Sequence, residues 1–95
     1  MRSQGAWREE VARAGAAFQD AVDAANRAFR DAVTELHRNR PTAAGTAEME
    51  QIAADEAEKI AALQAERDRR MADAERGHKA RIAAAAYEHG VTIAQ

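Results

Sequence analysis

The segment from Trp7 to Asn39 reads as three gapless lines of eleven residues, WREEVARAGAA, FQDAVDAANRA and FRDAVTELHRN. Trp7, Phe18 and Phe29 share one position of the repeat, Val11, Val22 and Val33 a second, and Ala14, Ala25 and Leu36 a third. Steps of four, three and four place all of them along one side of an α-helix. Eleven residues in three turns is ~3.67 per turn, so the stripe runs almost straight with a faint right-handed drift. Few folds other than long, packed helices tolerate such a beat.

The second half keeps the same interval. Met49, Ile60, Met71 and Ile82 fall eleven apart, and Ile52, Leu63, Ala74 and Ala85 follow them by three. The two halves are out of phase by two residues, so the pattern breaks between them, at NRPTAAGTAEM. Pro41 cannot continue a helical ladder and disfavours helix at Arg40. Gly45 permits a turn, and Thr46 is the expected N-cap, with Glu48 and Glu50 in the positive first turn. The spacing predicts helix one over about 3–39, a turn over 40–46, helix two over about 46–89 and an extended tail over 90–95. Gly90 stands where a left-handed residue closes a helix.

Composition agrees. Alanine supplies 27 of 95 residues, with one proline and no cysteine, the profile of coiled coils and long helices. One helical-hairpin domain is expected, all-α and antiparallel. With a turn centred near Ala43, residues whose numbers sum to roughly 86 lie opposite one another. Phe18 then points between Leu63 and Met71, Phe29 between Ile52 and Ile60, and Met71 faces Ala14 and Gly15. Gly15 and Gly77 are read as points of close backbone approach. Helix two outruns helix one, so Ile82–His89 is expected to overhang.

Thirteen large apolar side chains form the expected helix–helix core and dimer interface: Trp7, Val11, Phe18, Val22, Phe29, Val33, Leu36, Met49, Ile52, Ile60, Leu63, Met71 and Ile82. Two helices touching along one seam cannot bury them all. A homodimer, as a four-helix bundle or a longer antiparallel coiled coil, is therefore expected.

Charge on helix two is segregated. Residues 46–66 hold six acids and one lysine, whereas 67–81 hold Arg67, Arg69, Arg70, Arg76, Lys79 and Arg81 with three acids. The basic block is a candidate docking surface for an acidic partner, nucleic acid included. A solvated face ordered to suit the helix dipole is the plainer reading, since Asp68, Asp73 and Glu75 dilute it and no aromatic is interleaved for base stacking. Tyr87 and the β-branched tail residues Val91 and Ile93 are further partner-binding candidates, the tail by adding to a partner's edge.

Glu75 and His78 match the Glu-x-x-His spacing that sets two metal ligands on one helix face in di-iron bundles. Such sites need further glutamates from the other helix, and only Glu9 and Glu10 lie near that level. His78 and His89 are eleven apart, roughly 16 Å along the axis, too far to share an ion. His37, in the last turn of helix one, is well placed as a cation. No cofactor is expected, and no nucleophile–base pair or phosphate-binding loop suggests an enzyme. Lipid-surface helices built on elevens usually carry lysines beside the apolar face, whereas the apolar face of helix one is interrupted by alanines and helix two is acidic in its first half, so no membrane partner is expected. MRSQGAWREE lacks the apolar core of a secretory signal, and a cytoplasmic protein is expected, of a kind bacterial or phage genomes encode. The function read from these residues is a non-enzymatic interaction module, an adaptor, inhibitor or small assembly factor, working through helix two and the tail. The alternative is a nucleic-acid-associated protein using residues 67–81.

Overall fold

The computed structural model describes residues 4–90, among which there are two α-helices and no strand. Helix α1 runs Gln4–Arg38 and helix α2 runs Thr46–His89. Strong helix formers fill both, and the apolar stripe of each turns toward the other. The expected start near Ser3 and the tail residues Val91 and Ile93 lie outside the described residues. No helix among the described residues is long and apolar enough to cross a membrane.

Local chemistry closes the end of α1 and both ends of α2. The Glu35 carboxylate accepts from the Arg38 guanidinium at 2.8 Å and from the Asn39 side-chain amide at 3.1 Å. The Arg40 N–H donates to the His37 carbonyl at 3.3 Å, tightening the final turn before Pro41 ends it. At α2 the cap is Gly45, which makes no side-chain capping bond, rather than the expected Thr46, which is already helical. Glu48 compensates by reaching back, its carboxylate accepting from the Ala44 N–H at 3.0 Å, one half of a capping box set a residue early. Gly90 adopts φ 67°, ψ 26°, and its N–H donates to the carbonyls of Ala86 and Tyr87. That left-handed position is where the absence of a Cβ matters.

The register departs from the expected one by a nearly whole repeat. Trp7 meets His89, Phe18 meets His78, Phe29 meets Arg67 and Arg40 meets Glu56. Opposed residues therefore sum to about 96, not 86. The cause is the connection. Residues 39–45 do not fold back tightly but run as an arm along the first turns of α2, with Pro41 and Ala43 beside Met49 and Ile52. Extended chain climbs about 3.3 Å per residue against 1.5 Å in a helix, so a short arm offsets many helical residues.

Two further expectations fall with the register. Helix α2 does not overhang at Ile82–His89, because that end is level with Trp7 and Glu10; the part that projects beyond α1 is its beginning, Thr46 to Asp55. Nor do Gly15 and Gly77 mark close approach, since a Cβ on either would meet nothing within 4 Å. Ala14, Ala25, Ala85 and Ala86 are instead the buried residues. Met49, assigned to the core from its spacing, is 60% exposed, because it stands on the projecting turns with only the arm beside it. The other twelve stripe residues are half-buried. Two helices side by side make a single layer, 73 × 23 × 13 Å.

Candidate functional site

Four side chains of α2 cross the seam, and they are themselves eleven apart: Glu56, Arg67, His78 and His89. Each follows an apolar stripe residue (Ile52, Leu63, Ala74, Ala85) by four and so shares its face of the helix. Their partners on α1 and the arm, Arg40, Phe29, Phe18 and Trp7, keep the same interval in reverse. The result is a ladder of four rungs across an alanine-filled seam.

The rungs differ in chemistry. The Arg67 guanidinium lies 4.6 Å from the centre of the Phe29 ring, where the negative ring face attracts a cation. His78 tilts against Phe18 at 5.1 Å between centroids, and its Nδ1 lies 3.2 Å from the Ala14 carbonyl. A carbonyl only accepts, so Nδ1 carries the proton in that contact. His89 meets Trp7 edge-on, 6.3 Å between centroids at 62°. Its side chain is 3% exposed, and Nε2 lies 3.1 Å from Glu10 Oε2. That distance suits a hydrogen bond but the alignment does not, and neither ring nitrogen of His89 has a hydrogen-bond partner.

The rung at the turn is ionic. Arg40 Nε donates to Glu56 Oε2 at 2.9 Å, a second guanidinium N–H reaches Oε1, and His37 Nε2 stands 3.3 Å from the same carboxylate. The Arg40 hydrogen bond holds the Glu56 carboxyl below its ordinary range against the opposing cost of desolvation, with smaller help from His37. Arg40 is raised in turn. Glu66 is lowered in the same way, first by Arg69 and then by Arg70.

On one side of the ladder lies a groove. Its α1 wall carries Ala17, Ala21, Ala24, Ala28 and Ala32, and its floor is the seam. Space opens at two places along it, about 490 Å³ beside Phe18 and His78 and about 650 Å³ beside Leu36 and Leu63. From Ala17 to Asn39 the groove follows about 33 Å of helix. Small side chains on its wall leave room for another helix to come close.

The basic candidates split. Arg67 is drawn into the seam over Phe29. Arg69 and Arg70 pair with Glu66, Arg76 with Asp73 and Lys79 with Glu75, all along α2 itself. Arg81 lines the groove. Tyr87 points away from the seam, 91% exposed. Of the rung residues, Glu56 is the one that sequence reasoning missed, while His89 and Glu10 figured there only beside His78 in a metal motif. The signal for Glu56 is its eleven-residue spacing from Arg67, His78 and His89, which an apolar stripe alone does not report.

The structure thus defines a single-layer antiparallel helical hairpin with a polar ladder in its seam. Compared with protein families, with characterised proteins and with solved structures, the chain finds no match.

Proposed function

We propose that this chain is a non-enzymatic interaction module whose first partner is a second copy of itself, two hairpins packing groove against groove as an antiparallel four-helix bundle. The supporting observation is surface. A folded single chain of 10.3 kDa exposes about 5,400 Å² on the usual scaling with mass. This chain exposes 7198 Å². The excess, about 1,800 Å², is more than twice the ~800 Å² each partner contributes to a standard interface. Half-covered stripe residues from Val11 to Ile82 supply the apolar part of it, worth about 25 cal/mol for each Å² removed from water.

In that assembly the outward side of α2, with Tyr87, is left for a different protein, which is the role of an adaptor, inhibitor or assembly factor. The self-paired basic residues of α2 weigh against the nucleic-acid alternative, since neighbouring carboxylates cut the field a phosphate backbone would meet.

Gel filtration with light scattering tests the reading. The expected mass at micromolar concentration is twice 10.3 kDa. Ala28→Glu, which sets a charge on the exposed wall of the groove and leaves the seam intact, should return a folded monomer. A parent chain that runs as a monomer defeats the proposal. Binding to duplex DNA that weakens steeply from low to physiological salt would favour the alternative.

A further inference from the structure

The open end of the hairpin, opposite the turn, brings together Glu10 of α1 with Glu88 and His89 of α2. One ligand atom from each, a histidine nitrogen and two carboxylate oxygens, lies within 4.8 Å of the others. Carboxylates near one another would not by themselves define a site. The second observation is His89, whose side chain is 3% exposed while both ring nitrogens lack a hydrogen-bond partner. Imidazole nitrogens buried without partners are costly, and native structures satisfy nearly all such groups. Glu10 Oε2 faces Nε2 at 3.1 Å without the alignment of a hydrogen bond.

That separation has another meaning. Ligands about 2.0–2.1 Å from a tetrahedral Zn(II) ion lie about 3.3 Å from one another. The Nε2–Oε2 pair is therefore already spaced as two neighbouring ligands of one ion. Glu88 is exposed on the same turn and offers a carboxylate oxygen within 4.8 Å of the other two ligand atoms as the third. The Trp7 ring packs edge-on beside the imidazole and holds it in place. From these observations we infer that Glu10, Glu88 and His89 form a site for a divalent transition-metal ion of the zinc type, with water as the fourth ligand. One imidazole with two carboxylates suits such an ion better than Mg(II), which prefers an all-oxygen octahedron. Ligands on both helices make the ion a clasp across the open ends of α1 and α2.

The experiment uses the full chain, stripped with a chelator and titrated with Zn(II) by calorimetry and by thermal melting. Binding of one Zn(II) per chain is expected, with the melting midpoint rising by about 10 °C at a hundredfold excess over Kd. Glu10→Gln and Glu88→Gln should each weaken binding at least tenfold, and His89→Ala should abolish it. Glu88→Gln keeps the size of a side chain at an exposed position, so its result stands even if His89→Ala fails to fold. His37→Ala, at the far end, should leave binding unchanged. Co(II) in place of Zn(II) should give the strong visible absorption of a four-coordinate centre. The proposal is overturned by no saturable Zn(II) binding below about 100 μM, by an unchanged affinity in Glu88→Gln, by loss of binding in His37→Ala, or by an equal response to Mg(II). The site is remote from the Leu36 and Leu63 part of the groove, so oligomeric state is read independently of it.

Discussion

At the open end of the hairpin Ala85 and Ala86 are buried and His89 packs against Trp7, whereas at the turn end no residue from His37 to Glu56 is buried. The first end is held by close contact of small apolar groups and rings. The second is held by Arg40 and His37 gripping the Glu56 carboxylate across an extended arm. Contact of the first kind depends on shape, and the Glu10–His89 pair is the charged contact beside it. Contact of the second kind depends on charge, and solvent has access to it. One helix pair is thus built with two different sensitivities, and the boundary falls near Phe29, where a guanidinium rests on a ring.

The largest expected effect comes from placing the same charge on either side of that boundary. Ala25→Glu puts a carboxylate at a buried position and should cost several kcal/mol, about 3–5, enough to unfold a small bundle. Ala53→Glu makes the same change on the exposed projecting turns and should shift stability by no more than about 0.5 kcal/mol. Urea melts followed by circular dichroism read both, and equal costs would erase the distinction. Next in size is removal of large apolar groups. Phe29→Ala should cost about 2 kcal/mol, roughly half the figure for a fully buried ring because Phe29 is half-covered. Met49→Ala should cost well under 1 kcal/mol, since its side chain is already largely in water.

Acid provides the smallest and most local test. Glu56 is held below its ordinary value by Arg40. The unfolded chain therefore takes up the proton first, and protonation favours unfolding. The contribution is complete above the usual carboxylate value of about 4.3 and is lost as pH falls below it through the depressed one. Hydrogen exchange of amides in 47–56, corrected for intrinsic rates, should show the turn end opening in that window while the amides near Ala25 stay protected. In Glu56→Gln the acid-induced difference should vanish. Uniform opening along both helices would mean that the two ends are not separately held.

The fold was legible because an apolar beat of eleven has few interpretations, and the break at Pro41 and Gly45 left only a hairpin. The register was not, and the reason is specific. A repeat fixes the alignment of two helices only to within a whole repeat. A sum of 86 and the observed 96 differ by almost that amount. The choice between them rests on polar residues, Glu56, Arg67, His78 and His89, and on how far residues 39–45 stretch. Apolar patterning reports on neither. The expected alignment sets Glu10 near the level of Glu75 and His78; its neighbour is His89, which the observed alignment brings beside it.

The order of the rungs has a mechanical consequence. Alanine against alanine offers the two rods many equivalent resting places, spaced about 16 Å apart, one for every eleven residues. Sliding one step toward a tighter bend would set the Glu56 carboxylate over the Phe29 ring, whose negative face repels it. Sliding one step the other way would bring Arg40 level with Arg67 and ask the chain from Arg40 to Thr46 to span about 31 Å, when six extended steps reach only about 20 Å. A short tether blocks one direction and a misplaced anion the other. That is how a seam made chiefly of the least distinctive side chain settles into a single notch.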